Sequence, residues 1–349
     1  MSALPTLEVG NSLPTLEVEN LNVVFKGRRG LSSVHAVRDV SFHIGQGETL
    51  GLVGESGSGK STTARGLMRL VEPESGVVRL NGRDITEMTR RDLRSARRDF
   101  QIVFQDPYSS LNPSRVIGLS IGESLETHEK MTSSERHERV RELLRQVNLS
   151  PDFYERYPYE FSGGQRQRIA IARAIALKPS LVVCDEAVSA LDVSTQNEII
   201  NLLEQLSEDL GISYLFIAHD LAVVRHLSQR IAVMYLGHLL EDGPSERVFT
   251  EPAHPYTEVL LAAVPSPDPS QRLIENASII SGELPDPSNP PSGCPFRTRC
   301  RYVLDICSEE MPAPMPVDGG GTVRCHLQTS GPALGGQPLE AIDGKWINA

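Results

Sequence analysis

A glycine-rich loop near the start of the chain constrains the fold more than any other feature. Residues 54–61 read GESGSGKS, which matches the pattern Gly-x4-Gly-Lys-Ser. Glycines let backbone N–H groups converge on phosphate oxygens, the lysine adds a mobile positive charge, and the serine hydroxyl ligates Mg²⁺. The preceding ETLGLVG predicts a strand and the following STTARGLMRL a helix. We therefore predict a nucleotide-phosphate loop formed by Gly54, Glu55, Ser56, Gly57, Ser58, Gly59, Lys60, Ser61 and Thr62.

Further apolar runs predict the sheet that would carry this loop. They are rich in Val and Ile and are separated by helical segments, a combination that indicates a mostly parallel sheet covered on both faces. The runs lie at residues 100–104, 180–185, 213–218 and 230–236.

Two regions differ in character from this α/β pattern. Residues 107–164 show helical periodicity, heavy surface charge and no strand pattern, so we predict an inserted helical subdomain. Beyond residue 250, Pro and Gly become dense, which predicts a loop-rich C-terminal extension over 251–349. The ATP-binding core would then comprise 16–106 and 165–250. The motif LPTLEV occurs twice near the start, and we expect the first copy to belong to a flexible leader over 1–15.

Two adjacent carboxylates, Asp185 and Glu186, end the apolar run LVVCDE. Strand alternation would point them in opposite directions, so they can serve different purposes. Asp185 suits the Mg²⁺ shell, and Glu186 is placed to polarise a water for attack on the terminal phosphate.

Composition excludes several classes of protein. The formal net charge of −11 argues against a general nucleic-acid binder, which is usually basic. No run approaches the 18 apolar residues of a membrane span, and the first residues lack the basic start and apolar run of a signal peptide. We expect a protein that is neither exported nor embedded in a membrane.

With these motifs in place, the chain resembles the ATP-binding subunits of ABC transporters. FSGGQ at 161–165 resembles the family signature, with Phe161 where Leu is more usual. VFQDP supplies the Q-loop Gln105, SALD at 189–192 the D-loop, and IAHD the switch histidine His219. The resemblance spans residues 20–245. It implies a RecA-like P-loop NTPase core with an antiparallel β portion, an inserted helical subdomain and a small cysteine-containing extension.

The resemblance also implies that the chain must dimerise. In this family two subunits sandwich ATP head to tail, so the phosphate loop of one faces the signature of the other. The backbone of Gly163 and Gly164, with the Ser162 hydroxyl and Gln165, would then reach ATP held by the partner. A P-loop kinase or GTPase would not explain this signature, and too few residues separate Lys60 from Asp185 for the long coiled-coil arms of chromosome-type ABC ATPases.

Other roles follow from the same resemblance, position by position. Gln105 would sense Mg²⁺ and the γ-phosphate, and His219 would stabilise charge that develops there. Phe25 is the candidate for stacking on adenine, with core packing nearly as well supported and His35 as a weaker alternative. The usual Pro-Thr after the catalytic glutamate is replaced here by Ala187-Val188, which puts the geometry of that loop in doubt.

The C-terminal part carries a narrower resemblance, to the oligopeptide/dipeptide importers. EPAHPYTEVLLAAVPSPDP at 251–269 and the cysteine block are typical of that group. This implies two transmembrane permease subunits, an extracytoplasmic solute-binding protein, a second ATPase that is either identical or a paralogue, and a peripheral position on the cytoplasmic face of the plasma membrane. Nickel and glutathione importers are sister branches and remain alternatives. A non-transport ABC ATPase acting on nucleic acid is less well supported.

Four cysteines in the extension suggest a metal centre. Five, six and seventeen residues separate Cys294, Cys300, Cys307 and Cys325. Structural zinc sites usually include one close Cys pair, whereas a [4Fe–4S] cluster does not need one. We therefore favour an iron–sulfur cluster over zinc, with unmetallated thiols as the third possibility. No motif residue lies in this region, so we expect nucleotide binding to be independent of it.

Overall fold

Two β-sheets form the framework of the protein. The computed structural model describes residues 13–27, 33–219, 221–263 and 284–329. The first copy of LPTLEV therefore lies outside the described residues. The strands, in chain order, are β1 (Leu16–Phe25), β2 (Val34–Ile44), β3 (Thr49–Val53), β4 (Ser75–Leu80), β5 (Arg83–Asp84), β6 (Phe100–Val103), β7 (Leu181–Asp185), β8 (Ser213–Ala218), β9 (Arg230–Tyr235), β10 (His238–Pro244), β11 (Met315–Pro316) and β12 (Thr322–Val323).

Helices connect the strands and cover the larger sheet. Within the described ranges, none of them combines the length and apolar composition that crossing a bilayer requires. They are α1 (Lys60–Leu67), α2 (Arg90–Ala96), α3 (Pro107–Ser110), α4 (Ile117–His128), α5 (Ser133–Gln146), α6 (Gly163–Ile175), α7 (Val193–Leu210), α8 (Leu221–Leu227), α9 (Ser245–Thr250) and α10 (Pro255–Ala262).

The larger sheet contains the predicted parallel strands. Its order is β11-β12-β10-β9-β3-β8-β7-β6; the strands β9, β3, β8, β7 and β6 are parallel to one another, whereas β10 pairs antiparallel with β9. Every residue of β3, β7 and β8 is buried, because material packs on both faces of these strands. This explains why their sequences are continuous apolar runs. The predicted α/β core is confirmed.

Different layers cover the two faces of this sheet. On one face, the four-stranded antiparallel sheet β2-β1-β4-β5 and helix α1 share a core with Leu50 and Leu52 of β3. On the other face, helices α4 to α8 pack against residues such as Tyr214 and Phe216 of β8. Alternate residues of each central strand therefore belong to different cores.

The chain between β6 and β7 forms helices and turns. Helix α5 begins at a capping box in which Thr132 Oγ1 accepts from the Glu135 N–H while the Glu135 carboxylate accepts from the Thr132 N–H. Helix α6 begins immediately after Ser162, which places the signature sequence at its first turn.

The C-terminal extension is attached to the core at several points. Strand β12 pairs with β10 and so continues the larger sheet. An aromatic cluster joins Tyr235 of β9 to Tyr256 of α10 and to Phe296, which lies between Cys294 and Cys300. The ring centroids are 4.6 to 5.4 Å apart. All three aromatic side chains are fully buried, so the extension shares its core with the ATP-binding part.

Candidate active site

The glycine-rich loop joins β3 to α1 and depends on its glycines for its path. Gly54 and Gly59 have φ angles of 152° and 105°, which side-chain-bearing residues rarely adopt. A Cβ at Gly54 would lie 2.1 Å from the Met234 carbonyl oxygen, and one at Gly59 would lie 2.4 Å from that of Ala36. The loop passes so close to neighbouring backbone at Gly54 and Gly59 that only glycine fits at these two positions.

Lys60 places its ammonium group inside this loop. Its Nζ donates to the carbonyl oxygens of Gly54 at 2.7 Å and Glu55 at 2.9 Å, and to Ser58 Oγ at 3.3 Å. Burial lowers the pKa of Lys60, while the carboxylates of Glu186, Asp185 and Glu55 oppose that effect. A buried cation surrounded by the loop backbone is well placed to meet the negative charge of a phosphate chain. Of the remaining loop residues, Ser56, Gly57, Ser61 and Thr62 are all at least partly exposed.

Ser61 and Asp185 come together across the site, as a magnesium site requires. Ser61 Oγ, at the start of α1, donates to Asp185 Oδ1, at the end of β7, over 2.7 Å. A hydroxyl and a carboxylate are oxygen ligands of the kind that Mg²⁺ prefers. The donor set of this structure thus fits the metal that the loop pattern predicts.

Glu186 lies beside this pair and contacts Gln105. The Gln105 Nε2 group donates to Glu186 Oε2 over 2.7 Å. Glu186 has a φ of 52°, a conformation that costs free energy in a residue with a side chain and that often marks a functional site. The loop that follows closes by a hydrogen bond from the Ser189 N–H to the Glu186 carbonyl oxygen at 3.1 Å. Ala187 and Val188, which replace the usual Pro-Thr, are buried in the core beneath this turn.

The order of the strands explains why these residues meet. Strand β8 lies between β3 and β7, with Ala218 beside Val53 and Ile217 beside Asp185. His219 follows β8 directly and is exposed. The phosphate loop, His219 and the carboxylate pair therefore all lie at the carboxyl ends of these parallel strands, which is where open α/β sheets usually bind ligands.

The signature residues form a capped helix start. Ser162 Oγ accepts from the Gln165 N–H at 3.3 Å, and Gln165 Oε1 accepts from the Ser162 N–H at 3.0 Å. Phe161, which stands where Leu is more usual, is buried and packs against Phe153. The hydrogen bonds of Ser162 stay within this turn, which leaves the N-terminus of α6 available to an anion from outside.

The two signature glycines have different surroundings. A Cβ at Gly163 would lie 3.5 Å from Leu191 Cδ2, an ordinary contact. A Cβ at Gly164 would lie 2.4 Å from Thr195 Cγ2 within the same chain. Gly164 is therefore required for local packing, whatever else it binds.

The two adenine candidates differ in exposure. Phe25, at the end of β1, is 43% exposed, so the alternative that it packs in the core is wrong. His35 is partly buried, and its Nε2 lies 3.0 Å from Asn22 Oδ1. The exposed ring of Phe25 is the one free to stack on a base.

The four cysteines are neighbours in the extension but are not arranged as a cluster of metal ligands. Across the ranges that the structure describes, no group of three or more His, Cys, Asp or Glu side chains is placed to hold a metal ion. The four thiols are nevertheless close enough to interact electrostatically with one another. Burial raises the pKa of Cys294 to about 11 and that of Cys300 to about 12. The structure thus shows neighbouring free thiols, and the iron–sulfur or zinc centre stays a prediction.

Two residues of the extension contact the phosphate loop, and no sequence pattern predicted these contacts. The Arg299 guanidinium makes two hydrogen bonds to the Glu55 carboxylate, and the Tyr256 hydroxyl oxygen accepts from the Glu55 N–H. Arg299 lies 244 positions from Glu55, and neither residue of the extension belongs to a nucleotide-binding motif. The expectation that nucleotide binding is independent of the extension stays a prediction, but it did not foresee these contacts.

Comparison with known proteins agrees with this geometry. The family described as ABC transporter matches residues 37–189, and the family described as Oligopeptide/dipeptide transporter, C-terminal region, matches residues 240–307. A probable peptide ABC transporter ATP-binding protein, y4tS of Sinorhizobium fredii, is 53% identical over 84% of this chain and 83% of its own length. The oligopeptide transport ATP-binding protein AppF of Bacillus subtilis is 46% identical over 92% of this chain and 99% of its own.

Solved structures show the same fold. The ATP-binding cassette MJ0796, determined as a dimer in a post-hydrolysis state with ADP and phosphate, superposes with a TM-score of 0.60 at 30% identity, covering 66% of this chain and 98% of that one. The extent and identity of these matches confirm the resemblance read from the motifs. This chain is an ATP-hydrolysing subunit of the ABC transporter family, in the group that carries the oligopeptide/dipeptide transporter C-terminal region.

Proposed function

We propose that this ATPase powers the import of dipeptides or oligopeptides. The observation that carries the proposal is the C-terminal region over 240–307, because its family is defined among oligopeptide and dipeptide transporters. The names of the relatives, which describe peptide transport, support it. The complete importer would contain a second ATPase subunit, two transmembrane permease subunits and an extracytoplasmic solute-binding protein. This chain would lie on the cytoplasmic face of the membrane.

We further propose the roles of the residues in the site. Lys60 and the loop amides would bind the phosphates, and Ser61, Asp185 and Gln105 would hold Mg²⁺, which when bound neutralises phosphate charge. Glu186 would polarise the attacking water, and Gln105 keeps its carboxylate in position. His219 would contact the γ-phosphate, and Phe25 would stack on adenine. Support comes from the convergence of the phosphate loop, the carboxylate pair and His219 at the carboxyl ends of β3, β7 and β8.

The signature would act across a dimer interface. Ser162, Gly163, Gly164 and Gln165 would contact ATP bound to the phosphate loop of the second subunit. Support comes from the capped start of α6, whose polar groups bond within their own turn. In this proposal the ATP-binding core comprises residues 16–106 and 165–250, the helical subdomain with the signature comprises 107–164, and the C-terminal extension comprises 251–349.

Uptake measurements in the source organism test the transported solute. A strain whose only copy carries Lys60→Ala should lose uptake of labelled dipeptides or oligopeptides, because the variant cannot bind ATP productively. A strain that carries Lys178→Ala, a change of an exposed lysine far from the loop in sequence, serves as the control. If the Lys60→Ala strain takes up peptides normally but loses uptake of nickel or glutathione, the transported solute is that compound and not a peptide.

We also propose that the four cysteines bind a [4Fe–4S] cluster with a structural role. Support comes from their number, their spacing, the burial of Cys294, Cys307 and Cys325, and the electrostatic proximity of all four. The small core of the extension contains few apolar side chains, and so small a region generally needs an added crosslink.

Metal analysis tests this cysteine proposal directly. Anaerobically purified protein should be brown and should contain about four iron and four sulfide per chain. Cys300→Ser should lose the colour, whereas Cys184→Ala, a change in the sheet core, should keep it. Stoichiometric zinc without sulfide, or protein free of both, would refute the cluster and leave the ATPase assignment in place.

A further inference from the structure

A bidentate ion pair between Arg299 and Glu55 connects the C-terminal extension to the phosphate loop. Arg299 Nη1 donates to Glu55 Oε2 at 2.8 Å, and Nη2 donates to Glu55 Oε1 at 3.0 Å. The Arg299 side chain is 5% exposed and that of Glu55 is 27% exposed. Paired, charge-assisted hydrogen bonds of this kind fix orientation as well as position. Partial shielding from water makes the pair stronger than one on the open surface.

Arg299 is itself held rigidly. Its guanidinium also donates to the Tyr235 hydroxyl at 3.4 Å and lies 5.9 Å from the ring centroids of Tyr235 and Phe296. Those rings belong to the buried aromatic cluster that joins the extension to β9. The position of Arg299 is therefore set by the packing of the extension against the core.

Two more contacts reach the loop from the same side. The Tyr256 hydroxyl oxygen, on α10, accepts from the Glu55 N–H at 2.8 Å. Leu284 lies near the middle of the loop, since its Cδ2 would be 3.8 Å from a Cβ placed at Gly57. The extension thus contacts the loop through an ion pair and a hydrogen bond, with an apolar side chain nearby.

Glu55 connects these contacts to the phosphate-binding lysine. Its carboxylate binds Arg299, its N–H donates to Tyr256, and its carbonyl oxygen accepts from Lys60 Nζ at 2.9 Å. All three polar groups of one residue are therefore committed, two of them to the extension and one to the lysine. A shift of Glu55 would move an acceptor of Lys60 and change the shape of the loop.

We propose that the C-terminal extension positions the phosphate loop for nucleotide binding, with Arg299 as the positioning residue and Glu55 as its point of attachment. Arg299 acts through Glu55 and not by touching the nucleotide. A loop held in its binding shape loses less conformational entropy when phosphates enter, so the ion pair favours ATP affinity over the chemical step. The inference rests on the ATP site described above.

A double-mutant cycle on the full-length subunit tests the proposal. Arg299→Gln and Glu55→Gln should each raise the KM for ATP roughly tenfold while kcat of the assembled transporter changes by less than about twofold. The double variant should be no worse than either single one, because both changes remove the same interaction. Arg299→Lys should recover part of the affinity, since it keeps the charge but loses the fork.

Arg301→Gln is the matched control. Arg301, two residues further along the chain, pairs with Glu258 of α10 and not with Glu55 of the loop. We expect its KM for ATP to match wild type. Equal KM values for Arg299→Gln, Arg301→Gln and wild type would overturn the inference, as would additive losses in the cycle. Lys60→Ala distinguishes an error in the ATP site from an error in the role of Arg299. If Lys60→Ala leaves ATP binding intact, the ATP site itself is misassigned. If only the Arg299 variants behave unlike the prediction, the assignment of the ATP site still stands.

Discussion

Glu186→Gln should abolish most ATP hydrolysis while ATP binding stays intact. A general base typically contributes a factor of about 10² to 10⁴ in rate, so we expect turnover to fall by roughly 10³-fold. The amide keeps the shape of the side chain and an oxygen that can accept from Gln105 Nε2, so the loop, Ser61 and Asp185 should be undisturbed. Steady-state ATPase assays and ATP-binding measurements on the same preparation check both halves of the prediction.

The variant should also accumulate as a closed dimer with ATP. Dimer closure precedes hydrolysis in the proposed scheme, and a slow chemical step leaves the closed state populated. Size-exclusion chromatography with and without ATP measures this, and Glu208→Gln, a change of an exposed carboxylate on α7, is the control. Turnover near the wild-type rate in Glu186→Gln would show that another group activates the water.

Gly163→Asp should eliminate hydrolysis but leave the ATP affinity of an isolated subunit unchanged. The carboxylate would stand at the N-terminus of α6, where the partner's γ-phosphate is expected, and would repel it. Gly163 is a cleaner position than Gly164, because a side chain at Gly164 would collide with Thr195 in its own chain. Gly163→Ala, which adds a methyl group at ordinary contact distance from Leu191 without adding charge, should retain much of the activity.

Mixing two inactive variants gives the sharpest test of a shared site. A dimer of Gly163→Asp with Lys60→Ala contains one site with both defects and one site with neither. If the chain pairs with itself, an equimolar mixture should recover roughly one quarter of wild-type hydrolysis by random assortment. A sharp loss of ATP affinity in the isolated Gly163→Asp subunit, as in Lys60→Ala, would show that the signature acts on its own chain.

Much of the fold was predictable because its signals are local. Strands buried on both faces must be continuously apolar, and the runs at β3, β7 and β8 therefore stand out against the charged helices. The phosphate loop was predictable for a similar reason, since Gly54 and Gly59 adopt φ angles that few other residues tolerate. The order of β3, β8 and β7 in the sheet, by contrast, was not predicted, because no local pattern specifies which strands become neighbours.

The chemistry of the site was determined by the sequence itself: a lysine and a serine after a glycine loop, and two carboxylates at the end of a buried strand. Only the tertiary structure decided what surrounds them. It brought Arg299 and Tyr256 to Glu55, placed Thr195 against Gly164 and buried Ala187 and Val188 beneath the catalytic turn. Such contacts join residues that are distant along the chain, and they follow from how whole layers pack. A run of amino acids encodes its own backbone preferences and burial, but the partners of its side chains are fixed only when the layers close on one another.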